Sequence, residues 1–227
     1  MMGLGAAEAI ASSEAGTVIA RFAKAAYVKF PGGVVALTSP SVPIGPLHLR
    51  SLFEFSHLAP GDRLVVPDDW RQVAAIWQPE LPDRRFVQLP LLAAAASPSA
   101  LLTEALVDRW QIAARQTSLE AVCRVLGGLG PGLTPSGDDA LAGMLLAARV
   151  RWPEAQARLV ALAGAVDTHE IARAFLVWAA RGQSVAPVHR LLAGDPTAAT
   201  DLMMFGHTSG ADLALGLWHG FTCVWWS

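Results

Sequence analysis

The pattern of hydrophobic and polar positions changes character between Phe86 and Pro98. Before this point, apolar residues form short runs that Pro and Gly interrupt. The runs are Gly16–Phe22, Ala25–Phe30, Val34–Thr38, Leu47–Arg50, Arg63–Val66 and Val73–Trp77. Many short runs with turn residues at this spacing predict a small antiparallel sheet or barrel.

After this point, apolar residues recur every three or four positions, which is the period of an amphipathic helix. The segments with this period are Ser99–Arg115, Leu119–Leu126, Ala140–Arg151, Glu154–Val166, His169–Arg181, Val185–Leu192 and Ala211–Cys223. The chain is therefore predicted to be α+β, with a β-rich domain over residues 1–95. An α-helical domain over residues 96–227 follows and carries the glycine-rich motifs.

Composition adds an expectation about partners. Hydrophobic residues make up 53% of the 227 residues and charged residues only 16%. This is apolar for a monomer, so we expect contacts with other enzyme subunits or self-association. The net charge of -2 without a basic run does not fit nucleic acid. No apolar stretch is long enough to span a membrane and no basic segment precedes Arg21, so we expect a cytoplasmic protein.

The segment Gly127–Asp139, GGLGPGLTPSGDD, combines a glycine-rich loop with the start of a helix. Glycine lets the backbone approach a ligand closely, and the N–H groups of a helix start attract an anion. The sequence therefore predicts a site for a small anionic or carbamoyl-like ligand. Its candidate binding residues are Gly130, Gly132, Thr134, Ser136 and Gly137. The spacing resembles a phosphate-binding loop, but Leu133 stands where the lysine belongs, which argues against an ordinary NTPase.

Two adjacent acids, Asp138 and Asp139, complicate a site for an anion. Either one holds Mg²⁺ through carboxylate oxygens, or one accepts hydrogen bonds from an NH₂ group of the ligand. We take both as candidate catalytic residues, and as the metal ligands if a metal is used; the cofactor is otherwise left open. The alternative is that Asp139 only caps the helix, three residues after Ser136, and Asp138 is solvated.

A second segment, Gly206–Asp212, repeats part of the first. GHTSGADLALG aligns with GLTPSGDDALAG when Pro135 is skipped, so each segment brings a hydroxyl, a glycine and an acid to a helix start. The matching candidates are Ser209, Gly210 and Asp212 for ligand binding and His207 for acid–base catalysis. We predict that both helix starts face one pocket, with Asp139 and Asp212 less than roughly 12 Å apart. The alternative is two ordinary loops on different sides of the domain.

A third segment contributes Thr168 and Arg173 as candidate ligand-binding residues. His169 and Glu170 begin like the helix of a zinc protease, but Arg173 takes the place of the second histidine, so zinc is not indicated. The alternative is an ordinary helix cap with a solvated face.

The strings GLGPGLTPSGDDALAG, THEIARAFLVWAARG and FGHTSGADLALG together resemble a bacterial family that includes the smallest subunit of oxamate carbamoyltransferase, from anaerobic allantoin breakdown. The resemblance extends to the first half through the turn at Pro43–Pro46. It implies an enzyme of several subunits that converts oxalurate and phosphate to oxamate and carbamoyl phosphate. It also implies a site at the glycine, hydroxyl and acid positions named above. Ala172 departs from the family pattern, which has a serine there.

Four functions remain open. The chain is a subunit of a carbamoyl-transferring enzyme, a non-catalytic ligand-binding or regulatory subunit, a stand-alone Mg²⁺-dependent enzyme for a phosphorylated metabolite, or a structural module. Activity of the chain alone favours the third, and activity only with its partners favours the first.

Overall fold

The computed structural model describes residues 1–51, 55, 57–72, 75–96, 104–206 and 208–223. It divides into two compact units, Met1–Pro79 and Glu80–Ser227. Residues 80–95, which the sequence analysis placed in the β-rich domain, cluster with the helical unit. The α+β class with a β-rich first part and a helical second part is confirmed.

In its described residues, the first unit contains a seven-stranded sheet and two helices. Its elements are β1 (Met2–Gly3), α1 (Leu4–Ala11), β2 (Ala15–Arg21), β3 (Ala25–Phe30), β4 (Gly33–Thr38), β5 (His48–Arg50), β6 (Arg63–Val65), α2 (Asp68–Arg71) and β7 (Ile76–Trp77). The strand order is β6-β2-β3-β4-β5-β1-β7. The pairs β4–β5 and β1–β7 run parallel and the others antiparallel, so the sheet is mixed. Each of the six predicted runs overlaps a strand, but the prediction that the sheet is antiparallel is wrong at these two pairs.

Alternation along β3 shows how this sheet acquires a buried face. Ala26, Val28 and Phe30 are buried, while the residues between them are partly exposed. They join one hydrophobic cluster with residues of α1, including Ile10. Helix α1 was not predicted, because its alanine- and glycine-rich sequence has no marked apolar face.

Where the structure describes it, the second unit is helical and has no strand. They are α3 (Leu89–Ala95), α4 (Glu104–Ala114), α5 (Leu119–Leu126), α6 (Ser136–Arg151), α7 (Gln156–Gly164), α8 (Glu170–Ala180), α9 (Ala186–Leu192), α10 (Ala198–Met203) and α11 (Ser209–Thr222). Thirteen of the 16 residues of α6 are buried, which makes it the central helix of this unit. Among the described helices, none is long and apolar enough to cross a membrane.

Helices α6 and α11 pack backbone against backbone. A Cβ atom at Gly143 would stand closer than 3.0 Å to the carbonyl oxygen of Leu213, and one at Gly216 would stand as close to that of Ala140. Further along, Gly220 meets Ala147. Because these contacts advance along both helices together, α6 and α11 run in the same direction. Their N-termini therefore lie side by side.

Candidate functional site

The loop between α5 and α6 depends on glycines with positive φ. Gly128, Gly130 and Gly132 have φ values of +67°, +121° and +89°, a region that side chains with a Cβ rarely adopt. A Cβ at Gly132 would have no atom within 4 Å, so its backbone faces open space. The loop thus has the exposed glycine backbone that a ligand-binding loop requires.

Helix α6 begins without a side-chain cap. The residue before it is Pro135, whose carbonyl oxygen accepts the N–H groups of Asp138 (2.9 Å) and Asp139 (3.0 Å). The capping role that the spacing of Ser136 and Asp139 allowed is therefore wrong. Gly137 is buried and donates its N–H to the carbonyl oxygen of Leu129 at 2.9 Å, so this glycine serves close packing.

The carboxylate of Asp138 fastens two loops to the start of α6. Its Oδ1 accepts the N–H of Gly128 at 2.9 Å, and its Oδ2 accepts a short hydrogen bond from the hydroxyl of Thr168. The side chain is 2% exposed, so the alternative of a solvated Asp138 is also wrong. Burial raises its pKa, and the hydrogen bonds from Thr168 and Gly128 oppose that rise.

Arg173 fixes the segment that carries Thr168. Its Nε donates to the carbonyl oxygen of Val166 at 3.2 Å and its Nη2 to that of Thr168 at 2.7 Å. The structure thus brings Thr168, Arg173 and Asp138 together, as parts of one hydrogen-bonded support beneath the glycine loop. The sequence did not reveal this link, since 30 residues separate Asp138 from Thr168.

The second motif repeats the backbone arrangement of the first. Helix α11 begins at Ser209, and Gly210 donates its N–H to the carbonyl oxygen of Phe205 at 3.0 Å, as Gly137 does to that of Leu129. A Cβ at either glycine would clash with a carbonyl oxygen at the end of the preceding helix. The internal similarity in the sequence is therefore a repeat in structure, of loop and helix. His207, the proposed acid–base residue, lies outside the described residues.

Electrostatic interactions cross between the two repeats. The side chain of Ser209 lowers the pKa of Asp139, and that of Ser136 lowers the pKa of Asp212, each against the rise that burial causes. The side chain of Thr208, which the sequence analysis did not single out, also lowers the pKa of Asp212. The exchange is reciprocal, because each serine serves the acid of the other repeat. The two helix starts therefore adjoin, while a ligand pocket shared by them stays a prediction.

Asp139 and Asp212 each keep one unsatisfied oxygen. Their Oδ2 atoms are buried and find no hydrogen-bond partner in the part of the chain that the structure describes. Burial raises the pKa of Asp212 to about 6. Burial raises the pKa of Asp139 well above its ordinary value, and the neighbouring charges of Asp212 and Asp138 add to that rise. These two acids hold protons more strongly than exposed aspartates do.

The acids at the two helix starts were also considered as ligands of a metal ion. Within the described ranges, which omit His207, no three His, Cys, Asp or Glu side chains are grouped to hold a metal ion. Both oxygens of Asp138 are engaged in hydrogen bonds. Mg²⁺ at Asp138 and Asp139 therefore stays an untested expectation.

The helical unit is thus defined by two matched loop–helix repeats that bury paired carboxylates at the starts of two parallel helices. Residues 126–221 match the family model of oxamate carbamoyltransferase subunit AllH. The match begins at the last residue of α5 and ends within α11, so it includes both repeats and the segment with Thr168 and Arg173. It confirms the resemblance inferred from the sequence over these residues, and it includes neither the N-terminal sheet nor α3 and α4. No solved structure matches the chain.

Proposed function

We propose that this chain is a subunit of an oxamate carbamoyltransferase-like enzyme and contributes part of its active site. The site would bind a small ligand with an anionic end and a carbamoyl or carboxamide end. The observation that carries this proposal is that the family match falls on two helix starts that adjoin in the structure.

We assign the anionic end of the ligand to the surface of the junction, the place where the starts of α6 and α11 adjoin. The N-termini of α6 and α11 carry partial positive charge, and both helices exceed three turns. Half-buried hydroxyls of Thr134, Ser136 and Ser209 surround the two helix starts, and Gly132 adds exposed backbone. Together they offer hydrogen-bond donors without a fixed full charge, which suits a small carboxylate or phosphate.

The amide end is assigned to the two acids beneath that surface. Asp139 and Asp212 have unsatisfied oxygens, and a ligand NH₂ group is the donor that they lack. Asp138 has no oxygen to spare, so we assign it to positioning the loop rather than to the reaction. Arg173 supports the same loop and brings a positive charge to its side of the site.

Contacts with other subunits fit the exposed apolar side chains of the helical unit. Met204 is 80% exposed and lies two residues before Gly206, at the edge of the second motif. Phe86 is 70% exposed. Since a partner that covers Met204 would also approach the junction, we propose that the other subunits complete the active site.

The test combines binding with reconstitution. Calorimetry of the purified chain with oxamate is expected to show binding that Thr134→Val weakens severalfold, because one hydroxyl contact is lost. Thr200→Val, at an exposed position on α10, is the matched control and is expected to leave binding unchanged. Adding the chain to the other subunits is expected to restore carbamoyl transfer. Full transfer without this chain, together with no oxamate binding, would overturn the proposal.

A further inference from the structure

Three arginines collect at the C-terminal end of α6. Arg149 and Arg151 lie in its last turn, and Arg84 lies in the segment before α3. A Cβ at Gly182 would stand 2.8 Å from Cδ1 of Leu81 and 3.5 Å from Cγ of Arg149, so Leu81 packs beside Arg149. Arg84 is three residues from Leu81, a separation of about 11 Å at most. The segment before α3 therefore brings a third positive charge to this end of the helix.

These three arginines form no salt bridge with any residue that the structure describes. Asp83, the acid next to Arg84 in sequence, is held by Arg85. The Nε atom of Arg85 lies 3.1 Å from both carboxylate oxygens of Asp83, and its Nη2 lies 2.8 Å from Oδ2. Burial lowers the pKa of Arg151, and the charge of Arg84 lowers it further. The arginines thus repel one another without a described counter-charge in contact.

The dipole of α6 explains part of this arrangement. The C-terminus of a helix carries partial negative charge, which favours Arg149 and Arg151 in the last turn. Arg151 also ties α6 to the end of α11, since its Nη1 donates to the carbonyl oxygens of Gly220 and Cys223 at 2.7 Å each. Arg84 has neither role, because it lies outside α6 and its side chain has no hydrogen bond to a described residue. Its charge needs another explanation.

Exposed apolar side chains accompany the arginines. Phe86 is 70% exposed and Leu89 is 41% exposed, and both follow Arg84 within five residues. A small anion would neutralise the arginines but would leave Phe86 in water. Protein interfaces are enriched in arginine and aromatic side chains, which often provide much of the binding energy. The combination therefore fits a protein surface better than a free anion.

We propose that Arg84, Arg149, Arg151 and Phe86, the arginine face, bind an acidic surface of another subunit of the enzyme. Carboxylates of the partner supply the counter-charges, and an apolar pocket beside them receives Phe86. Complementary charge of this kind speeds association and selects the partner. This inference rests on the proposed function, which makes the chain one subunit of several.

The arginine face and the junction lie at opposite ends of α6. Because α6 has 16 residues, about 22 Å separates its two ends. A partner on the arginine face therefore does not need to touch a ligand at the junction. The inference predicts that assembly and ligand binding can be changed separately.

The test measures binding of the full chain to the other subunits by biolayer interferometry at several salt concentrations. Affinity is expected to fall at least about tenfold from about 0.05 M to about 0.5 M NaCl, because salt screens the charges. Arg84→Glu is expected to weaken binding at least about tenfold at the lower concentration, since it places a negative charge opposite carboxylates. Arg84→Gln should lie between the two. Phe86→Ala is expected to weaken binding at least about fivefold at every salt concentration.

Two controls separate the arginine face from general effects. Arg63→Glu makes the same charge change at an exposed position on β6, outside the helical unit, and is expected to bind as the unchanged chain does. Calorimetry with oxamate is expected to show the same affinity for the isolated chain with and without Arg84→Glu or Phe86→Ala. Circular dichroism checks that each variant is folded.

The outcomes are distinct. If the unchanged chain forms no complex with the other subunits, the proposed function fails and the inference fails with it. If the complex forms and folded Arg84→Glu and Phe86→Ala bind as tightly as the unchanged chain, the function stands and the inference is overturned. Equal weakening by Arg63→Glu also overturns it, because net charge then governs binding. Sedimentation of the chain alone tests another occupant: self-association that Arg84→Glu abolishes would assign the face to a second copy and overturn the inference.

Discussion

The two loop–helix repeats differ at one informative position. Both place a serine, a glycine and an aspartate at the start of a helix, and in both the glycine packs under a carbonyl oxygen of the preceding helix. The first repeat adds Asp138, where the second has Ala211. Asp138 bonds outward, to Gly128 and Thr168, and not to the second repeat. The comparison separates residues that join the repeats from one that anchors surrounding loops.

Substitutions at the contact between α6 and α11 should have the largest effect on stability, so they test the equivalence of the repeats most strongly. Gly143→Ala and Gly216→Ala each place a Cβ closer than 3.0 Å to a backbone carbonyl oxygen, so the helices must separate. We expect each to lower the free energy of unfolding by about 3 kcal/mol, measured by urea denaturation. Gly164→Ala is the control, because a Cβ there has no atom within 4 Å. If Gly143→Ala costs no more than this control, the close contact is not a stabilising feature.

Removal of Asp138, the acid that the second repeat lacks, tests its structural role. Asp138→Ala leaves the N–H of Gly128 and the hydroxyl of Thr168 without their partner, so we expect a loss of about 2 kcal/mol in the free energy of unfolding. Asp201→Ala is the control, since Asp201 is an exposed acid paired with Arg190. That pair is expected to contribute less than about 1 kcal/mol. Equal losses in the two variants would show that Asp138 does not anchor the loops.

Asp139 and Asp212, which occupy the same position in the two repeats, predict that the free energy of unfolding depends on pH. Burial raises the pKa of Asp212 from 3.8 to about 6. Between these two pH values the folded chain still holds the Asp212 proton, whereas the unfolded chain has lost it. The contribution of Asp212 to stability therefore decreases as the pH rises through this window. From pH 4 to pH 7, the free energy of unfolding of the unchanged chain should fall by about 1 kcal/mol relative to that of Asp212→Asn. The expected fall is small because part of the cost of ionisation belongs to Asp139, which both chains retain. Urea denaturation of both chains at several pH values measures this change. A gain in stability of the unchanged chain relative to Asp212→Asn as the pH rises would contradict the assignment.

The crossed serines provide the smallest and most symmetrical test. Ser136→Ala and Ser209→Ala each remove one hydroxyl that lowers the pKa of the acid of the other repeat and so favours its ionised form. Because the acids can hold a proton instead, we expect each variant to lose only about 0.5 kcal/mol. The two losses should agree. A difference above about 1 kcal/mol, measured in the same denaturation assay, would mean that the two repeats are not energetically equivalent.

The sequence predicted elements best where one face of a helix or strand is buried. Helix α5 begins and ends where the apolar spacing placed it, with the hydroxyl of Ser118 accepting the N–H of Ala121 at its start. Helix α6 begins at Ser136, where the motif predicted a helix start. The apolar period alone indicated a helix only from Ala140, because a helix buried on nearly all sides has little periodic contrast. Helix α10 was missed because it has only six residues.

The site was predictable in its parts but not in its connections. Similarity between the motifs indicated that Ser136–Asp139 and Ser209–Asp212 are equivalent, which the repeated backbone contacts bear out. The crossing of serine to acid depends on the parallel direction of two helices, which no local pattern encodes. The partnership of Asp138 with Thr168 is a tertiary contact, and a single sequence gives no signal for it.

The packing of α6 against α11 has a consequence for biosynthesis. The ribosome completes α6 well before it reaches Ser209, so the nascent helix has no α11 to cover Gly143 or Asp139. Contacts between segments so distant in sequence form late, because the loop between them must first close. The helical unit should therefore complete its folding only after α11 has emerged. Until then its glycine-lined helix face is a natural target for chaperones.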